Sequence, residues 1–245
     1  MLVSKRGGKP VERLDKLLAS TGRWSRSEAR RLVREGRVLA DGRIAASVEE
    51  KYDPDAVRLC VDGEGVDLSR FVYVMLHKPA GVLSATEDGR GKTVLDLLPE
   101  EYKKRGLFPV GRLDKDTEGL LLLTDDGQLA HELLSPKKHV DKVYFARVDG
   151  ALTADDCAAF AAGMTLGDGL RCLPAELEIV SSGAQSEARV TVREGKFHQV
   201  KRMFAARGKT VVYLKRLSMG PLALDETLAP GAWRALRAEE LGMLK

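Results

Sequence analysis

Between residues 10 and 45 the hydrophobic positions repeat first with the period of a helix and then with that of a strand. Apolar residues at helical spacing predict a first helix that runs to about Ser20: Val11, Leu14, Leu17 and Leu18. The order Ser25-Arg26-Ser27-Glu28 has the form of a capping box and predicts a second helix, which Gly36 ends. A turn at Asp41-Gly42 then joins two short strands. The pattern predicts a helix–helix–hairpin module over residues 10–61.

From residue 70 onward, strand-like and helix-like segments alternate irregularly. Short apolar runs predict strands over 71–76, 120–123, 143–148, 177–180 and 188–192. Helical spacing predicts helices over 155–162 and 199–206, with a short helical turn over 94–98. Because the alternation is irregular, the pattern favours an α+β fold with a largely antiparallel sheet over residues 70–245. A short polar stretch with two glycines, residues 62–69, is interpreted as a linker.

The positive charge of the chain is concentrated near its N-terminus. The net charge is +4, but residues 1–43 hold 12 Lys and Arg against 5 Asp and Glu, so the remainder is net negative. Arg26, Arg30 and Arg34 recur every four residues and form a row on one face of the second predicted helix. A charge run is usually a solvated face. Because like charges repel at this spacing, we expect a compensating anion here, namely nucleic-acid phosphate.

The sequence argues against several classes of protein and site. No apolar run is long enough to cross a bilayer, and the basic N-terminus lacks the apolar core of a signal peptide. Cys60, Cys157 and Cys172 have no paired spacing, which is typical of a reducing compartment and predicts a cytoplasmic location. The histidines lack zinc-ligand spacing, and no Walker or dinucleotide-binding motif occurs. We therefore expect no metal, no cofactor and no membrane partner.

Residues 111–127 combine an uninterrupted run of four leucines with five carboxylates: Asp114, Asp116, Glu118, Asp125 and Asp126. An acid at the edge of a hydrophobic core is tuned by desolvation and by a partner charge, as catalytic carboxylates are. Two other interpretations stay open. The acids could be ordinary turn formers, as in Asp125-Asp126-Gly127. They could also form a calcium-binding loop, although Pro109 argues against the helix that should precede such a loop.

Five segments, in order along the chain, resemble the motifs of pseudouridine synthases that act on bacterial ribosomal RNA. They are HKPAGV at 77–82, TVLDLLP at 93–99, GRLDKDTEG at 111–119, KVY at 142–144 and EGKFHQVKRMF at 194–204. The basic N-terminal module resembles an S4 RNA-binding domain. These resemblances cover nearly the whole chain. They imply an S4 domain followed by a pseudouridine synthase catalytic domain with a largely antiparallel mixed sheet.

The same resemblance implies roles for individual residues. Asp114 matches the catalytic aspartate, Lys201 the cation that pairs with it, and Tyr144 the aromatic residue that stacks on the target uracil. From the residues alone, Lys201 could equally be a surface lysine and Tyr144 a core aromatic. Arg112, Arg202 and Leu214 are expected to contact the substrate. Seven cations of the N-terminal module are expected to bind RNA: Arg13, Lys16, Arg26, Arg30, Arg31, Arg34 and Arg37.

Small-subunit (16S) ribosomal RNA is the expected substrate. Aspartate at positions 116 and 125 resembles the small-subunit branch of the family, whereas the large-subunit branch has asparagine there. The alternatives are a synthase for large-subunit (23S) ribosomal RNA, a non-catalytic S4-type RNA-binding or assembly factor, and a metal- or nucleotide-dependent RNA modifier. The set Asp114, Tyr144 and Lys201 favours an enzyme over a binding factor. We expect a monomer, which acts on naked ribosomal RNA or within a pre-ribosomal particle.

Overall fold

Local signals account for the first elements of the computed structural model, which describes residues 11–244. Ser25 Oγ accepts a hydrogen bond from the Glu28 amide at 3.2 Å, and the Glu28 carboxylate accepts one from the Ser25 amide at 2.7 Å. The predicted capping box is therefore formed, and the second helix begins at Arg26. The first helix begins at Leu14 rather than Val11, because the two residues before Leu14 pair with a strand. Val11 is consequently 54% exposed.

The N-terminal elements confirm the predicted helix–helix–hairpin order. They are β1 (Glu12–Arg13), α1 (Leu14–Ser20), α2 (Arg26–Arg34), β2 (Val38–Ala40), β3 (Arg43–Ile44), β4 (Lys51–Tyr52), β5 (Leu59–Val61) and β6 (Glu64–Gly65). Strands β3, β2, β5 and β6 form an antiparallel sheet in that order, and β1 pairs with β4. Both helices and this sheet bury apolar side chains in one core, which includes Leu14, Leu18, Leu32, Val38 and Leu59.

The later elements include every strand and helix that the pattern predicts from residue 70 onward. They are β7 (Tyr73–Lys78), α3 (Glu100–Arg105), β8 (Phe108–Pro109), β9 (Glu118–Thr124), α4 (Gly127–Leu134), β10 (Lys142–Asp149), α5 (Ala154–Ala162), β11 (Met164–Thr165), β12 (Arg171–Cys172), β13 (Glu176–Ser181), β14 (Gln185–Val192), α6 (Gln199–Ala206), β15 (Thr210–Met219), β16 (Leu222–Ala223), β17 (Trp233–Ala235) and α7 (Ala238–Leu244), with short 3₁₀ helices at Val94–Leu97 and Pro136–Lys138. The pattern did not predict α3, α4, β15, β17 or α7. Strand β7 also runs two residues further than predicted, to Lys78.

The main sheet of the described residues has nine strands. Its path is β13-β14-β10-β15-β9-β7-β17, with β16 paired to β15 and β8 paired to β9. All of these pairings are antiparallel except that of β15 with β9. At the parallel pairing, a Cβ on Gly119 would lie 2.2 Å from the Arg216 carbonyl oxygen, so only glycine permits this approach. The predicted α+β fold with a largely antiparallel mixed sheet is confirmed.

The leucine run at 120–123 lies in the interior of this sheet. All four leucines of β9 are 0% exposed, because β9 is covered on both faces, and β7 beside it is buried along its whole length. Helices α5 and α6 contribute to a second core on the other half of the sheet, where the Phe160 and Phe204 rings lie 5.0 Å apart. Burial on both sides therefore anchors β9, the strand that directly follows the acidic loop 111–117.

The chain forms two compact units, and each unit is built from two separate segments of the sequence. The first contains the described residues up to Phe71 together with Pro99–Gly106, and the second contains Val72–Leu98 and the described residues from Leu107 onward. Within the first unit, α3 packs closely against the turn between α1 and α2. A Cβ on Gly22 would lie 2.2 Å from the Glu101 carbonyl oxygen. The domain limits 10–61, 62–69 and 70–245 remain a prediction, although β6 includes two residues of the proposed linker.

Candidate active site

A fully buried lysine holds the backbone of the acidic loop. Lys78, at the end of β7, is 0% exposed. Its Nζ donates hydrogen bonds to the carbonyl oxygens of Thr117 at 2.8 Å, Pro79 at 3.0 Å and Lys115 at 3.2 Å. These three acceptors match the three N–H groups of an ammonium. Burial nevertheless lowers the pKa of Lys78 from 10.5 to about 8. The lysine therefore anchors the segment that follows Asp114.

A serine anchors the other side of Asp114. Ser84 Oγ donates to the Leu113 carbonyl oxygen at 2.8 Å and accepts from the Leu113 amide at 3.0 Å. The Thr117 amide also donates to the Asp114 carbonyl oxygen at 3.1 Å, which closes a tight turn. Backbone contacts on both sides thus hold the Asp114 side chain in place without using its carboxylate. The carboxylate is therefore free to interact with groups outside the loop.

Lys201 bridges two carboxylates of the loop. Its Nζ lies 3.0 Å from Asp114 Oδ2 and 2.5 Å from Asp116 Oδ1. The Asp114 and Lys201 side chains are 24% and 22% exposed, whereas Asp116 is 74% exposed. Burial opposes the charge of Lys201, but its hydrogen bonds to Asp116 and Asp114 outweigh burial and raise its pKa. The hydrogen bond from Lys201 in turn lowers the pKa of Asp116. The arrangement keeps a charged lysine against a half-buried acid.

The start of helix α6 presents Lys201 to the loop. The preceding residue His198 adopts a left-handed conformation, with φ of 51° and ψ of 32°. Gln199 secures this entry, since its side chain accepts a hydrogen bond from the Lys196 amide at 3.0 Å and donates one to Glu194 at 2.9 Å. His198 Nε2 then lies 3.6 Å from Asp114 Oδ1. A second basic side chain therefore stands beside the acid.

A cleft opens next to Asp114. Its lining includes Arg112, Asp114, Tyr144, His198 and Leu214. Tyr144 projects from β10, which is paired on both sides with β14 and β15, and Leu214 projects from β15. The structure therefore brings four of the six predicted catalytic and substrate-binding residues to one cleft, with Lys201 behind Asp114. Arg202 does not line this cleft; its guanidinium pairs with Asp168 instead.

The other carboxylates of the segment turn to different partners. Glu118 accepts a hydrogen bond from the Tyr213 hydroxyl at 2.8 Å, and Asp125 accepts one from the Val72 amide at 2.7 Å. Asp126 caps α4, so the stretch predicted as a turn in fact begins a helix. Within the suggested calcium loop, Asp114 and Asp116 therefore share Lys201, while Glu118 and Asp125 have partners of their own. Across residues 11–244, no three His, Cys, Asp or Glu side chains are grouped as metal ligands.

Comparison with known proteins identifies the larger part of the chain. Residues 72–206 match the RNA pseudouridylate synthase family. The chain belongs to this family. Residues 12–57 match the S4 domain, so both parts of the predicted resemblance are confirmed. The synthase is thus an isomerase that acts on uridine in RNA, and its N-terminal module is an S4 domain.

Several relatives align with the synthase over almost their full length. An uncharacterised RNA pseudouridine synthase of Bacillus subtilis, YtzG, is 51% identical, with 95% of this chain and 98% of the relative covered. Ribosomal small subunit pseudouridine synthase A of Vibrio cholerae is 41% identical, with 95% and 99% covered. A crystal structure of a pseudouridylate synthase superposes with a TM-score of 0.66 at 36% identity, covering 95% of this chain and 99% of that one.

The predicted RNA-binding cations of the synthase fall into two groups. Arg13, Lys16, Arg31 and Arg37 each lie within ion-pair distance of a carboxylate, the tightest pair being Arg37 with Asp62 at 2.6 Å. Arg30 also pairs with a carboxylate, Asp15, at 3.5 Å, whereas Arg26 and Arg34 form no ion pair with any described residue. Arg30 and Arg34 also line a shallow cavity beside α2. Of these seven cations, Arg26 and Arg34 are therefore the two without an acidic partner among the described residues.

Sequence reasoning did not assign a role to Lys78, Phe197 or His198. Each lies in a segment that carried the family resemblance, yet neither the hydrophobic pattern nor the residue type distinguished it. The burial of Lys78 depends on carbonyl groups almost 40 residues away, which no local pattern reveals. The synthase has no helix among residues 11–244 that is long and apolar enough to span a membrane.

Proposed function

We propose that the synthase converts a uridine of small-subunit ribosomal RNA into pseudouridine and that Asp114 is its catalytic carboxylate. The observation that carries the proposal is the 3.0 Å contact between Asp114 and Lys201 at the wall of a cleft that also contains Tyr144. Lys201 places a positive charge beside the carboxylate that would attack the glycosidic bond or remove a proton. The relatives named for the small ribosomal subunit support the choice of RNA.

The reaction requires no atom from outside the substrate. The bond from ribose C1′ to uracil N1 breaks, and the base turns within the cleft. A new bond then joins C1′ to C5, while the proton on C5 leaves and N1 gains one. Asp114 acts at the stage of bond cleavage, and Lys201 offsets its negative charge. The base must first leave the RNA stack, which costs about a few kcal/mol.

Each remaining side chain of the cleft has a role that its chemistry supports. Tyr144 offers an aromatic face for the target uracil, and such stacking is worth roughly 1–3 kcal/mol per base. Arg112 offers a planar guanidinium for a phosphate or for the flipped nucleotide. Leu214 supplies an apolar wall that excludes water from the carboxylate. Together they hold the uridine against Asp114.

The decisive experiment replaces Asp114. We expect Asp114→Asn to lower kcat by about 10³-fold or more, because the neutral amide cannot act as nucleophile or base. RNA affinity should stay near that of the wild type, since Asp114 carries no phosphate-binding charge. Asp149→Asn, which changes an exposed carboxylate at the end of β10, is the matched control and should remain active. Substantial turnover by Asp114→Asn would remove Asp114 from the reaction.

The RNA is tested separately from the residue. Pseudouridine positions are mapped across both ribosomal RNAs, in cells with and without the gene for this protein and in cells complemented with Asp114→Asn. One position in 16S RNA should lose its modification and regain it only with the active enzyme. Loss confined to 23S RNA would retain the catalytic proposal and overturn the choice of substrate. Modification of purified RNA and of partly assembled subunits then identifies the form on which the enzyme acts.

A further inference from the structure

The most exposed large hydrophobic side chain among residues 11–244 lies at the edge of the candidate active site. Phe197 is 75% exposed. One face of its ring stacks on the His198 imidazole, with a centroid separation of 3.8 Å and an interplanar angle of 18°. The other face has no aromatic partner in the described residues. Single exposed hydrophobic residues are common on protein surfaces, but an exposed aromatic ring beside a cleft offers a surface for a planar ligand.

This stack is joined directly to the wall of the cleft. His198 lines the cleft, and its Nε2 lies 3.6 Å from Asp114 Oδ1. Phe197 covers one face of the His198 imidazole but is not itself part of the cleft lining. A planar group on the open face of Phe197 would therefore lie close to the reacting uridine but outside the pocket that holds it.

The backbone around the stack is held in place from helix α6. Arg202 Nη1 donates to the Phe197 carbonyl oxygen at 3.5 Å, and the same guanidinium pairs with Asp168. The left-handed conformation of His198 directs its ring away from the helix axis and toward the loop. Phe197 therefore lies on a turn that is already fixed before RNA binds. Little conformational entropy is then lost in ordering it during binding.

We infer that Phe197 and His198 form a stacking site for an unpaired nucleobase adjacent to the target uridine. The inference rests on the proposed action of Asp114 on a flipped uridine. A neighbouring base loses its stacking partner when the uridine leaves the helix, and an exposed aromatic ring beside the cleft replaces that partner. Aromatic rings accept any base in this way, because each base has a π-face. The role differs from that of Tyr144, which lies inside the cleft.

The test uses the full-length enzyme and a short RNA that spans the mapped uridine. Phe197→Ala should raise KM roughly 5- to 150-fold, the range that corresponds to loss of one stacked base. The kcat should remain unchanged, because Phe197 does not touch the reacting atoms. Phe197→Trp should restore the wild-type KM. Phe197→Leu, which keeps an apolar side chain without an aromatic face, should resemble Phe197→Ala.

Combining Phe197→Ala with an altered RNA distinguishes the loss of base stacking from general damage to the protein. The RNA is prepared with an abasic site at the nucleotide before or after the uridine. One of these RNAs should bind the wild-type enzyme more weakly, and Phe197→Ala should then cause no further loss, because both changes remove the same contact. Val180→Ala removes another exposed apolar side chain, on edge strand β13, and should have no effect.

Three results would overturn the inference. They are an unchanged KM in Phe197→Ala, full activity in Phe197→Leu, and additive losses from the protein and RNA changes. Failure of the proposed function looks different, because the wild-type enzyme would then leave the uridine unmodified or Asp114→Asn would remain active. The two proposals therefore fail independently.

Discussion

The contact that distinguishes this site at the scale of single residues is the sharing of Lys201 between two aspartates. Asp114 is partly enclosed, whereas Asp116 faces solvent and has the shorter contact with the lysine. A lysine paired with a single aspartate would neutralise that aspartate more completely than a lysine shared between two. The exposed aspartate therefore competes with Asp114 for the charge of Lys201, and its hydrogen bond helps to keep the lysine charged in a half-buried position.

The effect of Asp116 is measurable in the alkaline limb of the pH profile. Because the hydrogen bond to Asp116 contributes to the raised pKa of Lys201, we expect Asp116→Asn to move that limb to lower pH. Stability should change by less than about 1 kcal/mol, since Asp116 is exposed and its ion pair is screened. The measurement is kcat against pH for the wild type, Asp116→Asn and the control Asp149→Asn. An unshifted alkaline limb would exclude this role.

The residue scale also sets the limit of prediction from sequence. Asp114 and Lys201 are 87 positions apart, and only the family motifs connected them. Charge and periodicity left Lys201 indistinguishable from a surface lysine. Buried cations such as Lys78 and Arg216 were not predicted, because their partners are backbone carbonyls; Arg216 Nε donates to the Leu120 carbonyl oxygen at 2.8 Å. Composition carries no trace of such contacts.

At the scale of elements, strands and helices with a complete local signal were predicted and others were not. Helix α2 has both halves of its capping box within four residues, so its start was predictable. Strand β15 was missed because a buried arginine, Arg216, interrupts the apolar alternation that marks a strand. Helix α4 was taken for a turn, since its cap Asp126 follows another acid and precedes a glycine. Tertiary contacts decide the structure of such segments.

The last elements of the chain are joined by a charge network. Arg234 on β17 donates to Asp225 at 2.7 Å and to Glu240 of α7 at 2.6 Å. Asp225 also accepts a hydrogen bond from the Thr227 hydroxyl at 2.6 Å. The hydrogen bond from Thr227 and that from Arg234 lower the pKa of Asp225 from 3.8 to about 2. The network thus links β17 and α7 through Arg234, which binds both Asp225 and Glu240.

This network gives a pH dependence of definite sign. A carboxylate whose pKa is lower in the folded state stabilises that state above its unfolded pKa and loses the effect as pH falls through the folded value. The Tm of Asp225→Asn should therefore lie below that of the wild type above about pH 4, with the gap closing toward about pH 2. Thermal unfolding at several pH values tests this, with Glu239→Gln as an exposed control. A difference in Tm between the wild type and Asp225→Asn that does not change with pH would contradict this prediction.

At the scale of the whole molecule, the distribution of charge separates binding from chemistry. Arg26 and Arg34, which have no acidic partner among the described residues, lie on α2, and the proposed catalytic carboxylate of Asp114 lies in the second unit. We expect replacement of Arg26, Arg30 and Arg34 by Ala to weaken RNA binding and reduce the slope of log K against log salt by roughly 2, because fewer counterions are released. The kcat at saturating RNA should be retained.

A matched triple variant controls for net charge. Replacement of Lys16, Arg31 and Arg37 by Ala removes the same number of cations, but all three pair with a carboxylate of the protein, whereas in the first variant only Arg30 does. Its effect on the salt slope should be smaller. Equal slopes in the two variants would mean that overall charge, rather than the exposed row on α2, determines RNA affinity.

The assignment of Pro99–Gly106 to the first unit has a consequence for modular exchange. The polypeptide passes between the units three times, so the compact unit that contains the S4 domain is not a single continuous segment. A graft of residues 10–61 onto another enzyme would leave behind α3, the helix that the Gly22 turn abuts. Any recombination that transplants the whole compact unit must therefore also carry the segment Pro99–Gly106 from inside the catalytic sequence.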